Sequence, residues 1–542
     1  MTGIDLADAL MFLGRDPTRP AREHSTVDTV QAALDRYGFG RALVSSVGPS
    51  YLDPAARNEQ VFQAAATDRR IIACPAACPE FRGPIDGDGA YVDELIRRGA
   101  RAVSFYPIDF TTGLAPQVVG GLFAALQRRR MPMVLFETPL DQVAAVARAY
   151  PQLPLVMPQV RWKSAAFLRT FASTPNLYIP IGPGFSLYRG LEAMVAHGGA
   201  ERVLLASGFP IGEPGAALAY LSYSRIDETD KAQIAAGNLK RLVDNVRVEG
   251  AVHAAGGSSR IAGSRSRRAV GPLAEATLNG KPVGVDGVID MHTHLGSWIH
   301  FPMAGGCADD LVEEMDRTGI EKSFASHLAC LTAEPRWGND QVIDAITRFP
   351  DRLLGYAVCW PVTKELGIDE IRRCLDAGMR GMKMHSSSGV PYVHDGYRPV
   401  WELADERKLP VLLHTWGDMA DYQEIFDRYP NVPILLGHAG CTNEQLYVDF
   451  ARRYPNVHLE LCHSAARYGI IEYLVREVGA ERILYGSDAA VHSFGHQLGR
   501  VVFADISQED KRLILATNAR SLLDRAEPLV QPPASSSHWE KT

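Results

Sequence analysis

The residues best suited to chemistry lie in the second half of the chain, each at the end of an apolar run. The run GVIDMHTHL carries His292 and His294. Two apart on an extended strand, they share one face, so both imidazoles point the same way. His414 ends the run PVLLH, His438 ends VPILLGH and Asp488 ends RILYGSD. Imidazoles and a carboxylate converging from several strand ends are what a divalent metal needs. Nitrogen and oxygen donors favour zinc, with iron, manganese or cobalt as alternatives. Each residue taken singly has a plainer reading: a polar strand end, a core histidine, a helix cap at Asp488. Those plain readings would all have to coincide.

These residues must be held by strands. The runs that precede them are short, rich in Val, Ile and Leu, and bounded by turn residues. They alternate with helical patterns such as DDLVEEMDRTGI, IDEIRRCLDAGM and YRPVWELADERKL. That alternation implies a parallel sheet covered by helices. About eight such units in about 245 residues suggest a (β/α)8 barrel, whose chemistry sits at the C-terminal ends of its strands.

The first half repeats the pattern. IDLADAL (4–10) lines up with IDMHTHL (289–295), and RGARAVSFYP (98–107) with AGMRGMKMHS (377–386). MPMVLFET (131–138) lines up with LPVLLHTW (409–416), YPQLPLVMPQ (150–159) with YPNVPILLGH (429–438), and GAERVLLASG (199–208) with GAERILYGSD (479–488). DKAQIAAGNLKRLV (230–243) matches DKRLILATNARSLL (510–523). In this alignment His292 faces Ala7, His294 faces Ala9, His414 faces Phe136, His438 faces Gln159 and Asp488 faces Gly208. The framework survives while all five candidate ligands are lost together, as one functional site would be. The fold class expected is therefore α/β, with two tandem (β/α)8 TIM-like barrels joined by a flexible linker. The boundaries are a degenerate, non-catalytic barrel over 1–247, a Gly/Ser/Arg/Ala-rich linker over 248–285, a catalytic barrel over 286–526 and a disordered tail over 527–542.

Composition excludes other classes. Hydrophobic residues make up 46% and charged residues 22%, which is ordinary globular composition. The net charge of -7 argues against a nucleic-acid binder. No run is long and apolar enough for a membrane span. The 8 cysteines are scattered, which suits reduced thiols and a cytoplasmic setting.

The motifs DMHTH (290–294), GMKMH (381–385), LLHT (412–415), LLGHAG (435–440), YGSD (485–488) and TNARSLL (517–523) carry a resemblance. The second half resembles the amidohydrolase superfamily, in its amidohydrolase-related (amidohydrolase 2) TIM-barrel branch. That branch includes hydrolases and aminocarboxymuconate-semialdehyde decarboxylase-like enzymes. The first half resembles it in framework only. The resemblance implies one metal held by His292, His294, His414 and Asp488, with His438 beside it. It implies that Asp488 moves protons and that His438 polarises a substrate carbonyl or steadies the developing oxyanion. Lys383 on the fourth strand is expected to contact substrate or a neighbouring carboxylate, uncarboxylated; Ser104 is its counterpart. Trp298 and Arg467 are candidates for the substrate pocket, Arg467 for a substrate carboxylate.

The activity expected first is metal-dependent hydrolysis of a C–N, C–O or C–C bond next to a carbonyl in a small molecule. The alternatives are non-oxidative decarboxylation of an aromatic or unsaturated acid, and a non-enzymatic role in binding or assembly. The first barrel is expected to act as a scaffold that packs on the second as a pseudo-dimer.

Overall fold

The structure is a computed structural model. It describes residues 3–16, 18–47, 53–78, 88–108, 113–158, 165–182, 185–248, 271–298, 303, 305–332, 334–417, 419–463 and 467–525. The chain divides into two compact units, 1–280 with 464–469, and 281–463 with 470–542. No helix among the described residues is long and apolar enough to cross a membrane.

In the first unit the strands are β1 (Ala7–Leu13), β2 (Arg41–Ser46), β3 (Ile71–Ala73), β4 (Val103–Phe105), β5 (Met133–Leu135), β6 (Leu155–Val156), β7 (Leu177–Ile181) and β8 (Val203–Leu205). They form two parallel sheets, β1-β2-β3 and β4-β5-β6-β7-β8, where one closed barrel was expected. The ladder breaks after β3, where the chain runs into Pro75, which has no N–H to donate. Backbone bonds still cross that gap, from Ser104 N to Pro75 O (3.0 Å) and from Ala77 N to Ser104 O (2.8 Å). Others run from Gly208 N to Leu10 O (2.9 Å) and from Phe12 N to Phe209 O (2.7 Å), linking β1 to the end of β8.

The second unit has β9 (Val288–Leu295), β10 (Ile320–His327), β11 (Leu353–Val358), β12 (Gly381–Met384), β13 (Val411–Leu413), β14 (Ile434–Leu436), β15 (Val457–Glu460) and β16 (Ile483–Leu484). All eight pair in parallel, in chain order, in one sheet. Met291 N donates to Tyr485 O (3.0 Å) and Asp488 N to His292 O (2.7 Å), which nearly closes the barrel between β16 and β9. Its interior is packed by Ile289, Met291, Phe324, Tyr356, Leu412, Leu435 and Leu484. The mouth residues stand on this solid floor, as in a filled eight-stranded barrel.

The two units share buried polar details. Asn238 Nδ2 donates to Ala200 O and Val203 O (2.7 Å each), and Asn518 Nδ2 to Ala480 O and Ile483 O (2.8 Å each). Lys231 Nζ caps Ser222 O as Lys511 Nζ caps Val502 O. A π-helical turn at Gln233–Gly237 matches one at Leu513–Thr517.

One expected register is corrected. Asp8 Oδ1 accepts from Leu10 N and Ser207 N, and Asp290 Oδ1 accepts from His292 N and Ser487 N, each at 3.0 Å. Asp8, not Asp5, is therefore the counterpart of Asp290. Leu10 and Phe12 stand where His292 and His294 stand, in place of Ala7 and Ala9. The alignment slipped because Asp-x-x-x-x-Leu occurs twice, as Asp5–Leu10 and as Asp8–Leu13. Both strands carry an irregularity just after this aspartate. Such a bulge re-aims side chains. Ile289 and Met291 below it fill the core, while His292 and His294 above it face the mouth.

The linker boundary also changes. Pro272–Leu278 is a helix with Leu273, Ala274, Thr277 and Leu278 buried, so the end of the 248–285 stretch is ordered. Proline at its first position and small or apolar residues on one face explain the helix. Residues 249–270 of that stretch, and 526–542 of the tail, lie outside the described residues.

Candidate metal centre

The mouth of the second unit gathers most of the expected residues. His292, His294 and Asp488 form one trio of buried donors, all mutually within 4.8 Å. Asp488 Oδ1 lies 3.1 Å from His294 Nε2 and 3.8 Å from His292 Nε2. His292 and His294 come from β9, and Asp488 from just past β16. Asp488 has φ of 57° and His438 has φ of 59°, in the left-handed region that side chains with a Cβ rarely adopt. Such strain is held where the surroundings over-determine it, and it is common at functional sites. At Gly208, the counterpart of Asp488, φ is 66° and glycine takes it freely.

His438 lies behind His292, with ring centroids 5.2 Å apart, and 4.7 Å from the His414 ring. His414 belongs to neither trio of close donors among the described residues. It faces His385, 4.0 Å away between centroids. Burial holds the imidazoles neutral. It pushes His292 and His438 well below the usual histidine range and His414 down to about 4, with Lys383 adding to the effect on each. At Asp488 burial works upward, but the hydrogen bond and charge of His294, with His292, hold the carboxyl well below its usual range. Neutral imidazole lone pairs and an ionised carboxylate are the protonation states that ligate metal.

Lys383 is fully buried on β12, and its Nζ is in hydrogen-bond contact with His292 Nε2 and, at 3.2 Å, with His294 Nε2. The ammonium thus marks the point on which both lone pairs converge. Burial lowers its pKa to about 8. The donor set fits a divalent cation, and Lys383 is the side chain that must yield to it.

Two close partners were not foreseen. Glu460, the last residue of β15, places Oε2 2.8 Å from His292 Nδ1. Cys462 Sγ lies 3.0 Å from His292 Nδ1 and 3.2 Å from His438 Nδ1. His292, His438 and Cys462 make the second trio of close donors. The available signal was the internal repeat: PNVHLELC (455–462) lies opposite PNLYIPIG (175–182), so Glu460 faces Pro180 and Cys462 faces Gly182.

The remaining candidates sit apart. Trp298 packs on Leu328, Cys330, Leu331 and Val358, with its ring 6.4 Å from His385. Arg467 belongs to the first unit, where Nη2 pairs with the buried Glu23 at 2.7 Å. That pairing takes Arg467 away from the substrate carboxylate for which it was a candidate, because its charge is already matched. Gln159, the counterpart of His438, lies outside the described residues.

Residues 289–525 match the family model "Amidohydrolase". This region is an amidohydrolase-superfamily domain. Its curated relatives include gamma-resorcylate decarboxylase of a Rhizobium species, 23% identical over an alignment of 282 residues that covers 40% of this chain and 86% of the relative. Gamma-resorcylate decarboxylase of a Polaromonas species is 24% identical over an alignment of 245 residues that covers 34% of this chain and 75% of the relative. Among solved structures, 2,6-dihydroxybenzoate decarboxylase complexed with 2,6-dihydroxybenzoate is 21% identical, covering 44% of this chain and 99% of that one, with a TM-score of 0.37. A Polaromonas dihydroxybenzoic acid decarboxylase with bound manganese and 2-nitroresorcinol is 20% identical, covering 44% and 97%, with a TM-score of 0.36. The amidohydrolase domain is thus an enzyme domain, with a metal-type donor cluster at its barrel mouth.

Proposed function

We propose that the amidohydrolase domain is a metal-dependent, non-oxidative decarboxylase of an aromatic carboxylic acid. The observation that carries this reading is the similarity to a gamma-resorcylate decarboxylase along 86% of its length. It moves decarboxylation ahead of hydrolysis, which the same donor set would serve equally. Trp416 adds support: its exposed indole lies parallel to the rings of His414 (5°) and His463 (17°), a flat seat for a planar ring.

One divalent ion would be held by His292, His294, His414 and Asp488, with zinc and manganese both compatible. When bound, it supplies Lewis-acid polarisation of substrate oxygens. The chain's own residues do the rest. Asp488, ionised, and His438, neutral, would relay a proton taken from solvent to the ring carbon that bears the carboxylate. The C–C bond then breaks, its electron pair returns to the ring and CO2 leaves, so one proton is taken up per CO2 released.

The first unit we propose to be a second, degenerate barrel without catalytic function, serving as scaffold. The shared aspartate, asparagine and lysine contacts support this, together with the bonds from β3 to β4 and from β1 to the end of β8. Eight cysteines, none of them in a disulfide among the described residues, support a cytoplasmic setting. The test is a panel of hydroxybenzoates alongside amides and lactones, given to protein reconstituted with zinc or manganese. CO2 release from a hydroxybenzoate is expected. Hydrolytic product from an amide or lactone, with no CO2 from any acid, would overturn the reading in favour of hydrolysis.

A further inference from the structure

Behind the donor trio lies a fully buried carboxylate that the reaction above does not use. Glu460 Oε2 is 2.8 Å from His292 Nδ1, and Cys462 Sγ donates to the same oxygen at 3.1 Å. Cys462 N donates to Oε1 at 2.7 Å, and His438 N lies 3.4 Å from Oε2. A carboxylate on Nδ1 fixes the proton there, so Nε2 faces the donor trio as a lone pair in one ring orientation.

Room for Glu460 is kept by a specific glycine. A Cβ on Gly486 would fall 1.9 Å from Glu460 Oε1 and 2.8 Å from His292 Cβ. In the first unit Ala206 holds the place of Gly486, and Pro180 that of Glu460. The methyl is therefore accommodated where the carboxylate is gone. His294 is treated differently: its Nδ1 partner Ser326, at 3.2 Å, is retained in the first unit as Ser45. Serine belongs to the framework, while Glu460 and Gly486 differ together with the donors.

We propose that Glu460 is the positioning residue for His292, held by Cys462 and given its space by Gly486, and that this orientation sets the affinity of the metal centre. The proposal rests on the single-metal reading above. Its test is direct binding of Mn2+ to the full-length, metal-stripped chain, followed by the electron paramagnetic resonance of free Mn2+, with a circular-dichroism melt of the metal-free protein.

Glu460→Gln keeps the volume and removes the charge, and its Mn2+ affinity should fall about 10–100-fold. Gly486→Ala leaves Glu460 in the sequence but displaces it, and should give a loss of the same size. The Glu460→Gln/Gly486→Ala pair should lose less than the product of the single losses. Metal-free melting should shift little in Glu460→Gln. Should that variant fail to fold, Gly486→Ala decides. Parent-like Mn2+ affinity in the folded variants would overturn the proposal, as would a lowered melt with unchanged affinity. A parent chain that binds no metal would instead overturn the single-metal reading beneath it.

Discussion

The strand ends of the two units place different chemistry on matching local frameworks. In the second unit the mouth holds His292, His294, His385, His414 and Lys383, with Asp488 between β16 and β9. In the first unit the matched places hold Leu10, Phe12, Tyr106, Phe136, Ser104 and Gly208. There the Tyr106 and Phe136 rings stack at 4.4 Å, Phe12 lies 6.0 Å from Phe136, and all three join the hydrophobic core. Beneath both mouths a buried aspartate accepts the same pair of backbone N–H bonds. Framework and site are therefore separable. A buried apolar side chain contributes about 1.5–3 kcal/mol to folding, whereas buried polar groups cost stability unless partnered. The first mouth is built for stability. The second gives up part of that for neutral lone pairs and a strained aspartate aimed at one point.

The largest test of this contrast is Asp488→Asn, which keeps the shape and removes the charge. Decarboxylation should fall by about 10²–10⁴-fold, the size of an acid–base contribution. Gly208→Asp, at the matched place, should leave activity at the parent level. Equal losses from both substitutions, read from initial rates of CO2 release, would abolish the distinction between the mouths. Next in size is Phe136→Ala, which opens a cavity in the first mouth. It should cost about 3–5 kcal/mol of stability in urea unfolding while the metal content stays unchanged.

The smallest test uses Asp8. Burial raises its pKa from 3.8 to about 7, and its Oδ2 has no hydrogen-bond partner among the described residues. A carboxyl whose folded pKa lies above its unfolded value favours the native state most below the unfolded pKa. Its contribution is then lost as pH rises through the folded value. Between about pH 4 and pH 7 the parent should therefore lose stability relative to Asp8→Asn. Urea midpoints measured across that range for both proteins check the sign; a gap that widens in the opposite direction would contradict it.

Strand ends, helix alternation and the five candidate ligands were legible in the sequence because apolar period and residue type report them directly. The structure brings three of the five, His292, His294 and Asp488, into one trio and sets His438 and His414 beside it. Four things were not legible. The β1 register failed because Asp-x-x-x-x-Leu fits twice, and only the hydrogen bonds of a buried carboxylate choose between the fits. Glu460 was hidden because a lone glutamate at a strand end reads as solvent-facing until its burial against His292 is seen. Arg467 misled because its partner, Glu23, is 444 residues away in sequence, beyond any local pattern. The ordered end of the linker, Pro272–Leu278, was masked by the Gly, Ser and Arg that precede it.

One metal centre is expected, in the second unit. The direct measurement is metal content per chain by mass spectrometry after stripping and reconstitution, in the parent and in a His292→Ala/His294→Ala variant. One ion per parent chain and none in the variant is the expected result. Two ions per parent chain, or one that survives in the variant, would contradict it.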